Sequence, residues 1–159
     1  MSGFGNEEDM LETENASSLK FGKEFDDAQG LMNDEVMVLL PNHLNRLANQ
    51  GGNSIAGNNS TAEKTLEYLR QISTNVDTSL LRIASAEIRG ALTNMELRDR
   101  AQQTMRLHQF EIASLANLIA REASTEEAIA WIPSLTRFDE ESLNEALDKI
   151  KEARSRMAV

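Results

Sequence analysis

The sequence predicts an all-α protein, a helical bundle preceded by an N-terminal segment that cannot form a core of its own. Hydrophobic residues make up 40% of the 159-residue chain but aromatic ones only 4%, so Leu, Ile, Ala and Met must fill the interior. Pro41 and Pro133 are the only prolines, and Gly90 is the only glycine beyond residue 60, which leaves the second half nearly free of helix breakers. Apolar residues there recur at steps of three and four, the spacing of one helix face. The length suits one domain rather than two.

Residues 1–17 are acidic and unpatterned, the composition of a disordered tail. Residues 18–48 form the next unit. Leu19, Phe21 and Phe25 place apolar groups two and four apart, which suits an extended stretch lying on another surface. Asn33 and Asp34 can cap a helix from Glu35, with Pro41 expected to stop or kink it before a further turn over 42–47. Residues 49–60, rich in Gly, Asn and Ser, read as a flexible linker. The helical domain spans 61–159. Ser60 with Glu63 is a capping box, followed by an apolar face of Leu66, Leu69, Ile72, Val76, Leu80, Ile83, Ile88, Leu92 and Met95. Unbroken, at ~1.5 Å per residue, such a helix would reach ~60 Å. A break is therefore expected near residues 75–78 or at Gly90.

The last third reads as three shorter helices. In the first, starting at His108, Phe110, Leu115, Leu118 and Ile119 point inward and His108 serves as a helix-end residue. The second opens at a capping box of Ser124 and Glu127 and is ended by Pro133, with Trp131 as a buried anchor or, alternatively, a protein-binding hot spot. The third is capped by Asp139 and faces the core with Leu143, Leu147 and Ile150.

Little chemistry is offered. The chain has no cysteine, which removes a disulfide framework, a thiolate metal site and a thiol nucleophile. His43 and His108 lie on separate elements and match no metal-ligand spacing. Adjacent acidic pairs such as Glu126-Glu127 and Glu140-Glu141 suit the first turns of helices, not shared-proton dyads. No phosphate-binding glycine motif follows a strand. No catalytic residue, cofactor or metal is expected. The formal charge is −10, and residues 1–35 hold ten acids against Lys20 and Lys23. Such a balance argues against bulk phosphate neutralisation and against docking on an anionic membrane. Arg98, Arg100 and Arg106 read as a solvent-facing helix surface balanced by Glu96 and Asp99.

One apolar set lacks a home in this scheme: Leu19, Phe21, Phe25, Leu31, Met32, Val36, Leu39 and Leu40. Burying eight such groups is worth on the order of 10–20 kcal/mol before ordering costs. A partner surface is the simplest place for them.

Three blocks resemble the family of the smaller stalk subunit of RNA polymerase II. The stretch Leu107-His108-Gln109-Phe110-Glu111, continuing to Leu115-Ala116-Asn117-Leu118, is similar to its "LHxFE…LxNL" signature. Ile132-Pro133-Ser134-Leu135 matches its "IPSL". Leu19 to Phe25 and Leu31-Met32-Asn33-Asp34-Glu35-Val36 resemble its N-terminal pattern. The family's aromatic-basic run after Tyr68 is replaced by Leu69-Arg70-Gln71-Ile72-Ser73. The resemblance implies an HRDC-like helical domain (the helicase-and-RNase-D C-terminal type) and an N-terminal segment that wraps its partner. That partner would be the larger stalk subunit, which carries an OB-fold barrel. The pair would dock on the polymerase core in the nucleus and meet nucleic acid only through the complex. The residues alone leave open the equivalent subunit of a paralogous polymerase, a freestanding helical nucleic-acid module and a homodimer joined through the 60–97 helix.

Because the arginines are interleaved with acids, the purified chain is expected to show no appreciable affinity for single-stranded RNA at physiological salt. Filter binding or fluorescence anisotropy checks this. Tight binding lost on Arg98→Ala/Arg100→Ala/Arg106→Ala would favour the nucleic-acid module.

Overall fold

The computed structural model describes residues 14–25, 27–49, 56–73, 77–119 and 122–156. The tail over 1–13 and residues 50–55 of the expected linker lie outside them. The fold is helical, as its composition requires. Helices α1 (Asn33–Asn49), α2 (Ala56–Ile72) and α3 (Thr78–Asn94) are followed by a small antiparallel hairpin of β1 (Leu97–Arg98) and β2 (Thr104–Met105). Then come α4 (Gln109–Leu118), α5 (Thr125–Trp131), a 3-10 segment over Pro133–Arg137 and α6 (Glu140–Ser155).

The main core gathers the C-terminal half of α3, the hairpin, α4, α5, the 3-10 segment and α6. Leu92, Leu97, Ile112, Leu115, Ile132, Leu135 and Leu143 are its largest fully buried apolar side chains. Each such side chain contributes about 1.5–3 kcal/mol of transfer free energy. Met37, Leu69 and Leu81 make a separate, smaller cluster between α1, α2 and α3, with Val36 and Val38 packed against it.

The long central pattern does break where expected. Ser73 and Asp77 are non-helical, and the Asp77 carboxylate accepts from Ser79 N–H and Leu80 N–H to cap α3. Gly90 stays inside α3. The other caps also form: His108 for α4, Ser124 with Glu127 for α5 and Asp139 for α6.

Several expectations are corrected. The helix α1 runs through Pro41 without ending. A mid-helix proline costs about 3 kcal/mol, and docking of Met37 against α2 and α3 offsets it, while Asn42 Nδ2 donates to the Val38 carbonyl at 3.3 Å. Helix α2 starts at Ala56, so Ser60 lies within it instead of capping it. Once a helix is nucleated, each added residue gains a hydrogen bond and only local entropy opposes it.

The arginines Arg98, Arg100 and Arg106 sit on the hairpin, not on a helix. Asp99 Oδ1 accepts from Ala101 N–H and Gln103 N–H, both at 2.8 Å, and Gln102 takes a left-handed φ of 63°. That turn chemistry outweighs helical spacing here. The hairpin is sewn to α6, since Asp139 N–H donates to the Arg98 carbonyl and Arg98 N–H to Ser142 Oγ.

Trp131 is 67% exposed, because Ile132 at the α5 C-cap takes the core position instead. Leu118 is 52% exposed as well.

Glu111 is completely buried, and its carboxylate is fully engaged. It accepts from Ser134 Oγ at 2.7 Å, from His108 N–H at 2.8 Å and from both terminal nitrogens of Arg137. Arg137 also donates to the Ser134 carbonyl and lies over the Phe138 ring, 4.2 Å from its centroid. Removing one partner from such a pair strands the other, at about 3–5 kcal/mol. Arg137→Met strands a carboxylate with no route to water, whereas Glu111→Gln leaves an arginine that is 24% exposed and can turn outward. Urea unfolding should therefore show the larger loss for Arg137→Met, and the double variant Glu111→Leu/Arg137→Met should lose less than Arg137→Met alone.

Candidate functional site

Residues 14–25 and 27–32 form a strap laid against the 3-10 segment Pro133–Arg137 and along α4. It begins with a tight loop in which Asn15 and Lys20 exchange backbone hydrogen bonds at 2.9 and 3.0 Å. The Asn15 side chain caps Ser17 N–H, and Leu19 closes the loop with a φ of 56°. The 3-10 turn Ala16–Ser18 rests against the 3-10 segment Pro133–Arg137. Phe21 then stacks on His108, with ring centroids 5.6 Å apart, and leans on Phe110 at 5.1 Å. His108 Nδ1 is the acceptor that caps Phe110 N–H, so the ring is held for stacking by the helix it starts.

A second attachment follows at Gly30. A Cβ there would lie 3.0 Å from the Gln109 carbonyl oxygen and 3.2 Å from Ala113 Cβ, so the strap's close approach to α4 excludes a side chain. The Gly30 carbonyl accepts from Arg89 Nη2 at 2.7 Å, and the same guanidinium pairs with Glu35 and donates to Gln109 Oε1 at 3.1 Å. Glu35 reaches back to Met32 N–H at 2.9 Å, and Asn33 N–H donates to Asn117 Oδ1 at 2.8 Å. One arginine on α3 thus joins the strap, α1 and α4. Burial opposes ionisation of Glu35, but the bonds from Arg89 and Met32 N–H, with the Arg89 charge, outweigh it and hold the carboxyl below its ordinary range. Beside it, burial pushes the Asp34 carboxyl up; Arg154 draws it partly back, and the Glu35 charge adds to the rise.

The eight apolar residues singled out from sequence divide into two groups. Met32 is a core residue of this chain at 2% exposure, which removes it from any external surface. Phe21 is half-buried against His108 and Phe110, and Val36 packs on the Met37 cluster. Leu19 and Leu40 are half-buried. Phe25, Leu31 and Leu39 face outward, at 53%, 43% and 52% exposure. The spacing of two and four identified an apolar segment but not which side of it faces inward. Gly30 and Arg89, which set that orientation, carried no sequence signal beyond an isolated glycine and one arginine among sixteen basic residues.

Among the described residues no group of His, Asp or Glu could hold a metal ion. No described helix is long and apolar enough to cross a membrane. A hollow of about 280 Å³ beside Ile119 and Leu147 is edged by Glu122, Asn144, Asp148 and Lys151. The strap presents Phe25 and Leu31 outward, with Leu39 beside them on α1, on a backbone held from its inner side, an arrangement suited to binding an apolar surface.

The family model described as RNA polymerase Rpb4 matches residues 30–154. A DNA-directed RNA polymerase II subunit rpb4 from Dictyostelium discoideum is 30% identical over 158 residues, covering 91% of this chain and 92% of that protein. A DNA-directed RNA polymerase II subunit 4 from Arabidopsis thaliana is 30% identical over 139 residues, covering 87% and 89%.

Loss of the Arg89 clamp should free the strap. Arg89→Met leaves Glu35 half-stranded and is expected to cost about 3 kcal/mol, read by urea unfolding. The dependence on pH follows from the lowered carboxyl. The contribution of Glu35 is complete above its ordinary value of 4.5 and is lost as pH falls through the lower folded value. Protection of 27–35 against hydrogen exchange should decline over that acid window in the parent chain and show no such step in Glu35→Gln.

Proposed function

The chain belongs to the RNA polymerase Rpb4 family, and from that premise we propose that it is the smaller, non-catalytic half of the RNA polymerase II stalk. In this reading it works by binding. The strap and α1 pair with the larger stalk subunit through that subunit's OB-fold part. The pair docks on the polymerase core in the nucleus, near the path of the emerging transcript, and supports initiation. The chain carries out no reaction of its own and meets nucleic acid only within the complex.

The observation that carries this reading is the two-sided strap. Its inward side is held by Phe21, Gly30 and Met32, which fixes the backbone before any partner arrives. Its outward side presents Phe25 and Leu31, and Leu39 follows on α1. Apolar groups on a pre-ordered backbone lose little entropy on association, so burying them converts efficiently into affinity. Both relatives are polymerase II subunits, which favours that polymerase over a paralogue.

The two phenylalanines separate the roles. Phe21→Ala should lower the melting temperature of the free chain, because its ring packs on α4. Phe25→Ala should leave that melting temperature nearly unchanged and weaken the complex with the larger stalk subunit by about 2 kcal/mol. Circular dichroism and titration calorimetry read the two quantities. Unchanged affinity for Phe25→Ala/Leu31→Ala would sink the proposed interface.

A further inference from the structure

We propose that α2 is a detachable helix, which opens from the body as a unit while the main core stays closed and thereby uncovers an apolar groove on α1 and α3. The core of this protein is divided unequally. The larger cluster joins Met32 of the strap, the second half of α3, the hairpin and every element from α4 to α6. The smaller one is Met37, Leu69 and Leu81, edged by Val36 and Val38. Among the described residues, none of α2 belongs to the larger cluster, and α2 packs chiefly on α1.

The polar ties are as uneven as the apolar ones. Helix α1 is bound to the body by Glu35 with Arg89 and by Asn33 N–H with Asn117. Helix α6 is bound by the Asp139 and Ser142 bonds to β1 and by Arg154, which donates to the carbonyls of Ala116 and Ile119. Among the described residues, no hydrogen bond or ion pair joins a side chain of α2 to another element; the Thr65 hydroxyl donates within the helix, to the Thr61 carbonyl.

The apolar face of α2 is only partly spent. Leu66 and Leu69 are buried, whereas Tyr68 and Ile72 are 59% and 48% exposed. Isolated helices of this length are marginal in water, so α2 depends on docking, and that docking is made chiefly against α1, away from the larger core. Segments with few buried contacts and no fixed polar ties open at lower free energy than the global unit. Release of α2 would bare Met37 and Leu81, both now closed to solvent, with Val36 and Val38 along the rim. Helix α1 would stay in place, because its clamp belongs to the larger body.

Native-state hydrogen exchange of the full chain, followed by mass spectrometry across low urea concentrations, tests this. Amides of 60–72 are expected to exchange through an opening with a shallow urea dependence, at least about 30-fold more often than those of α4 and α6. Leu69→Ala should speed exchange over 60–72 by about 30-fold or more, and exchange in α4 and α6 by no more than the same factor, because global unfolding also undocks α2. Ile112→Val, in the larger core, is the discriminating change: it should raise exchange in α4 and α6 by about 3- to 10-fold and leave 60–72 unchanged, since Ile112 stays packed while α2 opens. If 60–72 shares one opening and one urea slope with α4 and α6 in the unsubstituted chain, or if Ile112→Val speeds 60–72 as much as α4 and α6, the protein is a single cooperative unit and the proposal is wrong.

Discussion

The bundle depends on a carboxylate that has no contact with water. Glu111 sits on the first turn of α4 and gathers His108 N–H, the Ser134 hydroxyl and the Arg137 guanidinium around one buried charge. Arg137 is held in turn by the Ser134 carbonyl and lies over Phe138, itself a core residue bridged to Asp99 of the hairpin. Buried pairs of this kind contribute less to net stability than an apolar packing would, because desolvation is costly. Their effect is geometric. A carboxylate that must be satisfied on every side tolerates only one placement of the 3-10 segment against α4, and that placement sets the positions of Ile132 and Leu135 in the core and of the hairpin against α6.

The same region positions the strap. His108 caps α4 with its Nδ1 and offers its ring to Phe21, while Gln109 and Ala113 leave room for nothing larger than Gly30. The signature residues of α4 therefore have two uses in this chain. They secure the helix start through Glu111, and they give the N-terminal segment a surface to lie on. The outward face that results, Phe25, Leu31 and Leu39, is apolar in a chain with a formal charge of −10, so it is distinguished from the rest of the surface by chemistry as well as by place.

Apolar packing and polar ties are distributed unevenly across this architecture. From the second half of α3 to α6 the elements share one apolar cluster and are cross-tied by polar bonds, whereas α2 rests on a three-residue cluster. Helix α1 spans both regions, with its first turn clamped to α3 and α4 through Arg89 and Asn117 and its middle facing α2. That position accounts for its tolerance of Pro41. The lost hydrogen bond falls in a helix whose beginning is fixed by tertiary contacts rather than by its own propensity.

By itself the sequence determined the fold class, the need for a break in the long central pattern, and the helix ends at His108, Ser124 and Asp139, because these follow from spacing and from side chains acting within three or four residues. Which of the two candidate break points was used, and the cap at Asp77, came only with the structure. The motif blocks around Leu107, Ile132 and Leu31 were likewise legible, and they lead to the family. What remained for tertiary structure were choices among residues of equal hydrophobicity: Ile132 inside and Trp131 outside, Leu115 inside and Leu118 outside, Met32 in the core and Leu31 beside it in solvent. The hairpin was hidden because its strands are two residues long, too short for an alternation to register, and because Asp99 and Gln102 make its turn locally. The orientation of the strap was hidden for a different reason. It is set by Arg89, Gln109 and Ala113, which lie more than fifty residues from Gly30 along the chain and meet it only once α3 and α4 have packed, so no local pattern could carry that information.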